Sequence, residues 1–354
     1  FDEEAIQSAR KSDLRRQQGK LLSPIDGIVM SIKDNFHVKD HLTTAGSKIL
    51  STFKSPFNAT IVQRLKDAGV VIIGKTNMDE FGMGSYGLNS SFGPTYHLFN
   101  TKNIPPAISA TTSKHNENQI QQKYIPGGSS SGSAVSVALY TAWASIGSDT
   151  GGSVRLPAAY TDTIGLKSTY GLLSRYGLIS YGSSFDCPGI MARSAKDAYI
   201  IFKTISGVDK NDSTSIFNPI IPSTSHDDTK KDKNSDNSDE KLQYPIIPNY
   251  LDHSADDAII LYPHHKKHPL KGLKIGIPQE LMISTLSEEI KSAWLQTIEI
   301  FTSLGADVYT ISISSLEHAL PVYYTLVQSE AVSNLARYDG LRYGPTHYTN
   351  DQSY

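Results

Sequence analysis

The sequence contains a single cysteine, no long apolar run and almost no excess of charge. Cys187 alone cannot form an internal disulfide, so the chain does not depend on an oxidising compartment. No segment approaches the roughly 20 apolar residues that span a bilayer, so we predict no membrane span. With 33 Lys and Arg against 35 Asp and Glu, the net charge of -2 gives no general reason to bind nucleic acid or a membrane surface.

The apolar residues that are present follow an alternation of helix and strand. In residues 58–73, an Asn58 cap, apolar side chains at helical spacing and a stop at Gly69 predict a helix followed by a buried strand. Residues 273–313 predict a strand, a helix and a second strand. This alternation is typical of an α/β fold with a largely parallel sheet covered by helices.

Two segments lack this periodicity. Residues 100–123 and about 211–270 are rich in Asn, Ser, Asp and Lys, and we interpret them as surface insertions in a single domain spanning residues 1–354. The longer segment is also consistent with a boundary between two domains. Because the sequence starts at Phe1 within a polar, helix-like stretch, we expect both ends to be trimmed.

Three short motifs suggest other chemistries. Gly69–Thr76 matches the phosphate-binding pattern G-x-x-x-x-G-K-[ST], but its variable residues are Val and Ile, which favour a strand over a loop. Ser130 lies in a G-x-S-x-G motif, yet no later histidine has a persuasive neighbourhood for a hydrolase triad. A Cys187 nucleophile is possible, although a lone cysteine is more often a small buried side chain.

A fourth interpretation combines two Ser/Gly clusters with a lysine. Gly151 and Gly152 allow consecutive backbone N–H groups to converge beside Ser153, as oxyanion stabilisation in acyl transfer requires. Lys33 follows the mostly apolar residues 28–32, which predict a strand. A lysine buried at a strand end has a lowered pKa and can act as a base without a histidine.

The motifs IKDNF, PGGSSSGSA and GSDTGGSVRLPA, in this order, resemble the amidase signature family. The resemblance implies the amidase-signature fold, a large, mixed, mostly parallel sheet with helices on both faces. It also implies a Ser-cis-Ser-Lys triad in which Lys33 is the base, Ser129 the bridging serine and Ser153 the nucleophile. The oxyanion hole would include the N–H groups of Thr150, Gly151 and Gly152, and no metal is implied.

Within the family, GKTNMDEFGMGS (74–85) and SEAVSNLARYDGLRYG (329–344) resemble the A subunits of glutamyl-tRNA(Gln) amidotransferases. This resemblance implies a glutaminase that passes ammonia from L-glutamine to a B subunit, with a small third subunit in the complex. The B subunit would hold most of the tRNA and use ATP and Mg to convert Glu-tRNA(Gln) to Gln-tRNA(Gln); this subunit itself needs no cofactor. Tyr323 would contact the glutamine, and the backbone around Met83 and Gly84 would line the acyl pocket.

Two alternatives to this function stay open. One is a stand-alone amidase that acts on another small amide, and the other is a scaffold subunit with an inactive site. The family's chains continue past the position of Tyr354 and supply further substrate-binding groups there, so we expect the glutamine site to extend beyond this sequence. The Asn/Ser/Lys-rich insertions and the polar N-terminal region are typical of an organellar member, and we expect a location in the mitochondrial matrix.

Overall fold

The computed structural model describes residues 2–98, 123–216 and 268–344. The chain divides into two compact units: residues 1–223 with 326–354, and residues 224–325. The two predicted insertions fall mostly outside the described residues. The single-domain organisation over residues 1–354 therefore stays a prediction.

The first unit contains a five-stranded sheet in the order β2-β1-β5-β7-β6. β1 pairs in parallel with β2 and β5, whereas β7 pairs antiparallel with β5 and β6. Four strands therefore share one direction and β7 alone opposes them, which agrees with the predicted mixed, mostly parallel sheet. The strands of this unit are β1 (Val29–Lys33), β2 (Val71–Thr76), β5 (Ala144–Asp149), β6 (Ile164–Lys167), β7 (Cys187–Ala192) and the separate antiparallel pair β3 (His97–Leu98) and β4 (Lys123–Tyr124).

Helices pack on both faces of this sheet, because successive side chains of a strand point in opposite directions. In β7, Ile190 joins an apolar cluster with residues of α2 and α5, while its neighbour Met191 joins a second cluster with residues of α3 and α4. The helices described in the chain are α1 (Asp2–Gln17), α2 (Thr60–Asp67), α3 (Ser131–Ala138), α4 (Arg155–Tyr160), α5 (Ala195–Ile205), α6 (Glu288–Ser303) and α7 (Leu316–Leu335).

The helix predicted after Asn58 is present as α2, but Asn58 does not cap it. The cap position is Ala59, which makes no side-chain cap bond. Asn58 Oδ1 instead accepts the Lys39 backbone N–H at 2.8 Å, because a neighbouring loop supplies a competing donor. The stop at Gly69 is confirmed: its φ of 87° lies in the left-handed region that ends helices.

The alternation of β1 separates an apolar layer from a polar one. Met30 and Ile32 lie in the apolar cluster with α2 and α5. Ser31 faces α3, and its hydroxyl lies 2.9 Å from that of Ser136. Since side chains alternate along a strand, Lys33 extends from the same face as Ser31.

A bulge in β2 changes its register against β1. Met30 pairs with Ile72 but Ser31 pairs with Gly74, so Ile73 has no partner in β1. As a result, Ile72 lies in the apolar cluster while the Thr76 hydroxyl contacts Ser133 of α3 at 2.7 Å. In a regular strand, residues four apart would share a face.

The second unit contains the strand-helix-strand motif predicted for residues 273–313. β8 (Lys274–Pro278) and β9 (Asp307–Ile311) pair in parallel and are joined through α6. The Ser287 hydroxyl caps α6 by accepting the Ile290 N–H, and two glutamates in the first turn complement the helix dipole. Among the helices of residues 2–98, 123–216 and 268–344, none is long and apolar enough to cross a membrane.

Candidate active site

Lys33 is fully buried at the carboxyl end of β1. Its Nζ lies 2.7 Å from Ser129 Oγ, 2.9 Å from Ser148 Oγ and 3.4 Å from the Ser148 carbonyl oxygen. Burial lowers the pKa of Lys33 to about 7, while nearby carboxylates, Asp79 among them, act in the opposite direction. The amine can therefore be neutral near pH 7 and accept a proton from Ser129.

Ser129 follows a cis peptide bond from Gly128, as the amidase signature resemblance implies. Its carbonyl accepts the Asp79 N–H at 3.3 Å, which places the segment after β2 beside the serine loop. At Gly128 a Cβ would collide with Asp79 Oδ2 and lie 2.8 Å from the Gly87 nitrogen, so only glycine fits there. The serine loop is thus packed tightly against residues 79–87.

Ser153 lies in the turn between β5 and α4 and is 9% exposed. Its carbonyl accepts the Ser130 N–H at 3.2 Å, so the backbone joins the Ser153 turn to the Ser129 loop. Asp149 stabilises the turn from inside: its Oδ2 accepts the N–H of Val154 at 3.1 Å, and its Oδ1 accepts Arg155 Nη2 at 2.9 Å. The two Ser/Gly clusters therefore lie next to each other, and their action as one catalytic site stays a prediction.

The residues predicted to form the oxyanion hole lie directly before Ser153. Gly152 has a φ of 142°, which favours glycine, and a Cβ on it would meet open space. The Thr150 hydroxyl donates to Asp186 Oδ1 at 2.6 Å, fixing the start of the turn. The role of Thr150, Gly151 and Gly152 as donors to an oxyanion stays a prediction.

Ser130 is a structural residue rather than a nucleophile. It is fully buried, its hydroxyl donates to the Ser148 carbonyl at 3.1 Å and it accepts the Ser148 N–H at 3.3 Å. These bonds join the start of α3 to β5. The G-x-S-x-G match at Ser130 therefore does not mark a nucleophile elbow.

The phosphate-loop match at residues 69–76 does not mark a phosphate-binding loop either. Residues Val71–Thr76 form β2, so their N–H groups belong to a sheet rather than a loop. Lys75 Nζ pairs with Asp34 Oδ1 at 2.7 Å. Both side chains line a cavity of about 500 Å³, whose lining includes neither Lys33 nor the two predicted catalytic serines.

Cys187 is 3% exposed at the start of β7. Burial raises the pKa of its thiol, which keeps it protonated and a poor nucleophile. The structure therefore favours the small buried side chain over the thiol nucleophile.

The predicted substrate-contact residues lie in different parts of the chain. The turn carrying Met83 and Gly84 is close to the serine loop, because a Cβ on the preceding Gly82 would lie 3.7 Å from Ser129 Oγ. Met83 itself is 38% exposed. Tyr323 lies in the part of α7 that belongs to the second unit, where its ring packs on Tyr324 with centroids 5.2 Å apart. Substrate contacts by these residues stay predictions.

A family model described as Amidase matches residues 1–246 and 246–353. The chain belongs to the amidase family. This membership agrees with the amidase signature motifs and confirms the resemblance on which the triad was predicted.

Several relatives of this chain are A subunits of glutamyl-tRNA(Gln) amidotransferase. The mitochondrial protein of Ajellomyces capsulatus is 39% identical over 335 residues, covering 95% of this chain and 55% of the relative. The protein of Orientia tsutsugamushi (strain Ikeda) is 40% identical over 341 residues, covering 96% and 58%. The mitochondrial protein of Rattus norvegicus is 38% identical over 346 residues, covering 97% and 57%. The chain thus spans little more than half the length of these relatives.

Solved structures confirm the predicted amidase fold. The A subunit of the Thermotoga maritima glutamyl-tRNA(Gln) amidotransferase superposes with a TM-score of 0.66 at 30% identity, covering 87% of this chain and 55% of the Thermotoga chain. The peptide amidase of Stenotrophomonas maltophilia gives a TM-score of 0.67 at 27% identity, covering 97% and 59%.

The structure adds polar residues that the sequence reasoning missed. Ser148 contacts Lys33 directly, and Asn35 Nδ2 donates to Ser148 Oγ at 2.9 Å. Asp79 and Asp186 are buried carboxylates whose charges act on Lys33. Ser148, Asn35 and Asp79 had a sequence signal, since they lie within quoted motifs, whereas Asp186 lies outside all of them. Within the described ranges, no group of three or more His, Cys, Asp or Glu side chains is placed to hold a metal ion.

Proposed function

We propose that this chain is the glutaminase part of a glutamyl-tRNA(Gln) amidotransferase A subunit. Its relatives from fungal and rat mitochondria and from bacteria carry that name. The single observation that carries the catalytic part of the proposal is the 2.7 Å contact between Lys33 Nζ and Ser129 Oγ in a fully buried setting. A neutral Lys33 amine at this distance can take the proton of the Ser129 hydroxyl.

The reaction proceeds through a proton relay. Lys33 takes the proton of Ser129 while Ser129 takes that of Ser153, whose oxygen attacks the side-chain carboxamide carbon of glutamine. The N–H groups of Thr150, Gly151 and Gly152 stabilise the tetrahedral oxyanion. Collapse breaks the C–N bond, the relay returns the proton to the leaving nitrogen, and ammonia departs from a glutamyl ester of Ser153. Water hydrolyses this ester by the same route and yields glutamate.

The wider assignment concerns the complex. Ammonia passes to a B subunit, which uses ATP and Mg to activate Glu-tRNA(Gln) and form Gln-tRNA(Gln), and a small third subunit completes the assembly. This subunit works without a cofactor of its own. The mitochondrial names among its relatives support a location in the mitochondrial matrix, although bacterial proteins match equally well.

The test is ammonia release from glutamine by the full-length protein with its partner. Lys33→Ala, Ser129→Ala and Ser153→Ala should each lower kcat by roughly 1,000-fold or more, with Ser153→Ala lowest because it removes the nucleophile. Cys187→Ala is the matched control and should retain wild-type activity. Activity near wild type for Lys33→Ala would refute the relay, and unchanged activity for Ser153→Ala would support an inactive scaffold.

Dependence on the partner subunit distinguishes the amidotransferase from a stand-alone amidase. We expect glutamine-dependent amidation of Glu-tRNA only when the B subunit is present. Rapid hydrolysis of simple amides by the isolated full-length chain, without gain from the partner, would favour the stand-alone enzyme. The peptide amidase among the solved structures with this fold makes that comparison necessary.

A further inference from the structure

The C-terminal part of α7 contacts residues 181–186, here called the 181–186 loop, which leads into β7. Residues 326–335 of this helix belong to the first unit. Glu330 Oε2 accepts the Ser184 N–H at 2.9 Å, and Asn334 Nδ2 donates to the Tyr181 carbonyl at 3.1 Å. Two side chains one helical turn apart therefore bind the backbone of one loop.

Apolar packing adds to these hydrogen bonds. Val327 is fully buried, and a Cβ on Gly182 would lie 2.8 Å from Val327 Cγ2. The same Cβ would lie 3.4 Å from Thr150 Cγ2. The loop is therefore enclosed between α7 and the turn that carries Ser153.

Asp186 connects the loop to that turn. Its carboxylate accepts the N–H groups of Tyr181 at 2.9 Å and Gly182 at 3.1 Å, and also the hydroxyl of Thr150 at 2.6 Å. With 3% exposure, this carboxylate has little water to compete for its bonds. Hydrogen bonds at the two ends of the loop, and the loop backbone between them, thus link Glu330 and Asn334 to Thr150.

We propose that Glu330 and Asn334 are positioning residues that fix the Thr150–Gly152 segment through the 181–186 loop and Asp186. The inference rests on the proposed function, in which that segment supplies the oxyanion donors. Both residues lie in the 329–344 block that the sequence analysis singled out and to which the catalytic relay assigns no role.

The expected kinetic effect follows from what the segment does. Oxyanion donors act on the transition state far more than on bound substrate, so a displaced segment lowers kcat and leaves KM nearly unchanged. A merely structural helix would instead lower the fraction of folded protein and leave kcat per folded active site, counted by active-site titration, unchanged.

The experiment uses the full-length protein with its partner and glutamine as substrate. Glu330→Ala and Asn334→Ala should lower kcat roughly 10- to 100-fold with KM within about twofold. Glu330→Gln keeps an oxygen acceptor for Ser184 and should restore most of the loss. Gln328→Ala, on an exposed position of the same helix, is the matched control. Thr150→Val removes the hydroxyl at the other end of the chain of bonds.

Coupling between the two ends is the decisive readout. If Asn334 acts through Thr150, the double variant Thr150→Val with Asn334→Ala should lose clearly less than the product of the single losses. Multiplicative losses, or kcat within twofold of wild type for both α7 variants, would overturn the proposal. If Asn334→Ala does not fold, Ser183→Ala removes one hydrogen-bond partner of Asn334 and should show the same coupling at smaller size.

The controls separate this inference from the proposed function. Ammonia release by wild type that depends on Ser153 supports the function, and unchanged α7 variants would then refute only the positioning role. Absence of release that depends on Ser153 would refute both.

Discussion

At the residue scale, burial makes Lys33 suited to act as a base. Burial destabilises its ammonium form, and the Ser129 and Ser148 oxygens give its protons fixed acceptors. The carboxylates of Asp79, Asp149 and Asp186 limit the shift, so the pKa is lowered to about 7 and no further. The Lys33 amine therefore changes between its charged and neutral forms close to neutral pH.

This pKa predicts the pH dependence of glutamine hydrolysis. Only the neutral amine can take a proton, so kcat/KM should fall about tenfold per pH unit below pH 7 and level off above it. Lys33→Arg should be inactive throughout, because a guanidinium stays charged. The exposed Lys48→Arg is the control and should reproduce the wild-type profile. A flat profile from about pH 5 to 9 would contradict the assignment of Lys33 as the base.

At the element scale, β7 separates two apolar clusters of the first unit. All of its residues are buried, with Ile190 in the cluster beneath α2 and α5 and Met191 in the cluster beneath α3 and α4. The strand therefore contributes to both layers of helices, and it follows directly after Asp186.

Shortening a side chain on either face of β7 should lower the free energy of unfolding, and the effects on the two faces should be independent of each other. Ile190→Ala and Met191→Ala should each lower the free energy of unfolding by about 2–5 kcal/mol, since both side chains are fully buried. Because they lie in separate clusters, the double variant should lose close to the sum of the two. Urea unfolding measures this, with Ile190→Val as a milder control at about 0.5–1.5 kcal/mol. A loss far from the sum would show that the two clusters are coupled.

The sequence predicted elements well where local periodicity decides them. α2 and the strand-helix-strand motif of the second unit follow their apolar spacing. The prediction that Asn58 caps α2 was wrong, because the Asn58 side chain instead accepts the Lys39 backbone N–H. Helix α3 ends at Ala138, since the N–H groups of Thr141 and Ala142 both bond the Ser136 carbonyl and close a turn.

For the site, too, the sequence could not predict contacts that depend on tertiary packing. The triad was predicted from motifs, and the structure brings Lys33 to Ser129 across 96 positions of sequence. The contacts of Ser148 and Asp186 could not be predicted, because tertiary packing alone decides which buried polar groups face the lysine. Pattern reasoning identifies the residues that do chemistry more readily than those that hold them in place.

At the scale of the whole molecule, the net charge bears on the proposed division between catalysis and tRNA binding. A net charge of -2 gives the chain little attraction for a polyanion. In the proposed complex, ammonia production and tRNA binding therefore belong to different subunits.

This division predicts where tRNA affinity resides. The isolated full-length A subunit should show no saturable tRNA binding at physiological salt, whereas the complex with its B subunit should bind with an affinity that falls steeply as salt rises. Filter binding over a salt series measures both. An A subunit that binds alone with the affinity of the complex would contradict the division.

The bulge at Ile73 has a consequence for how this sequence can change over time. Before the bulge, the even-numbered Ile72 faces the apolar cluster beneath α2 and α5. After the bulge, the even-numbered Thr76 faces the opposite side of the sheet and reaches α3. Substitutions at Ile73 leave this phase intact. Loss of its codon would remove the extra residue and leave a regular strand in which Gly74 still pairs with Ser31 and Thr76 with Lys33, so a three-nucleotide deletion there should be less harmful than the same deletion in a strand without a bulge.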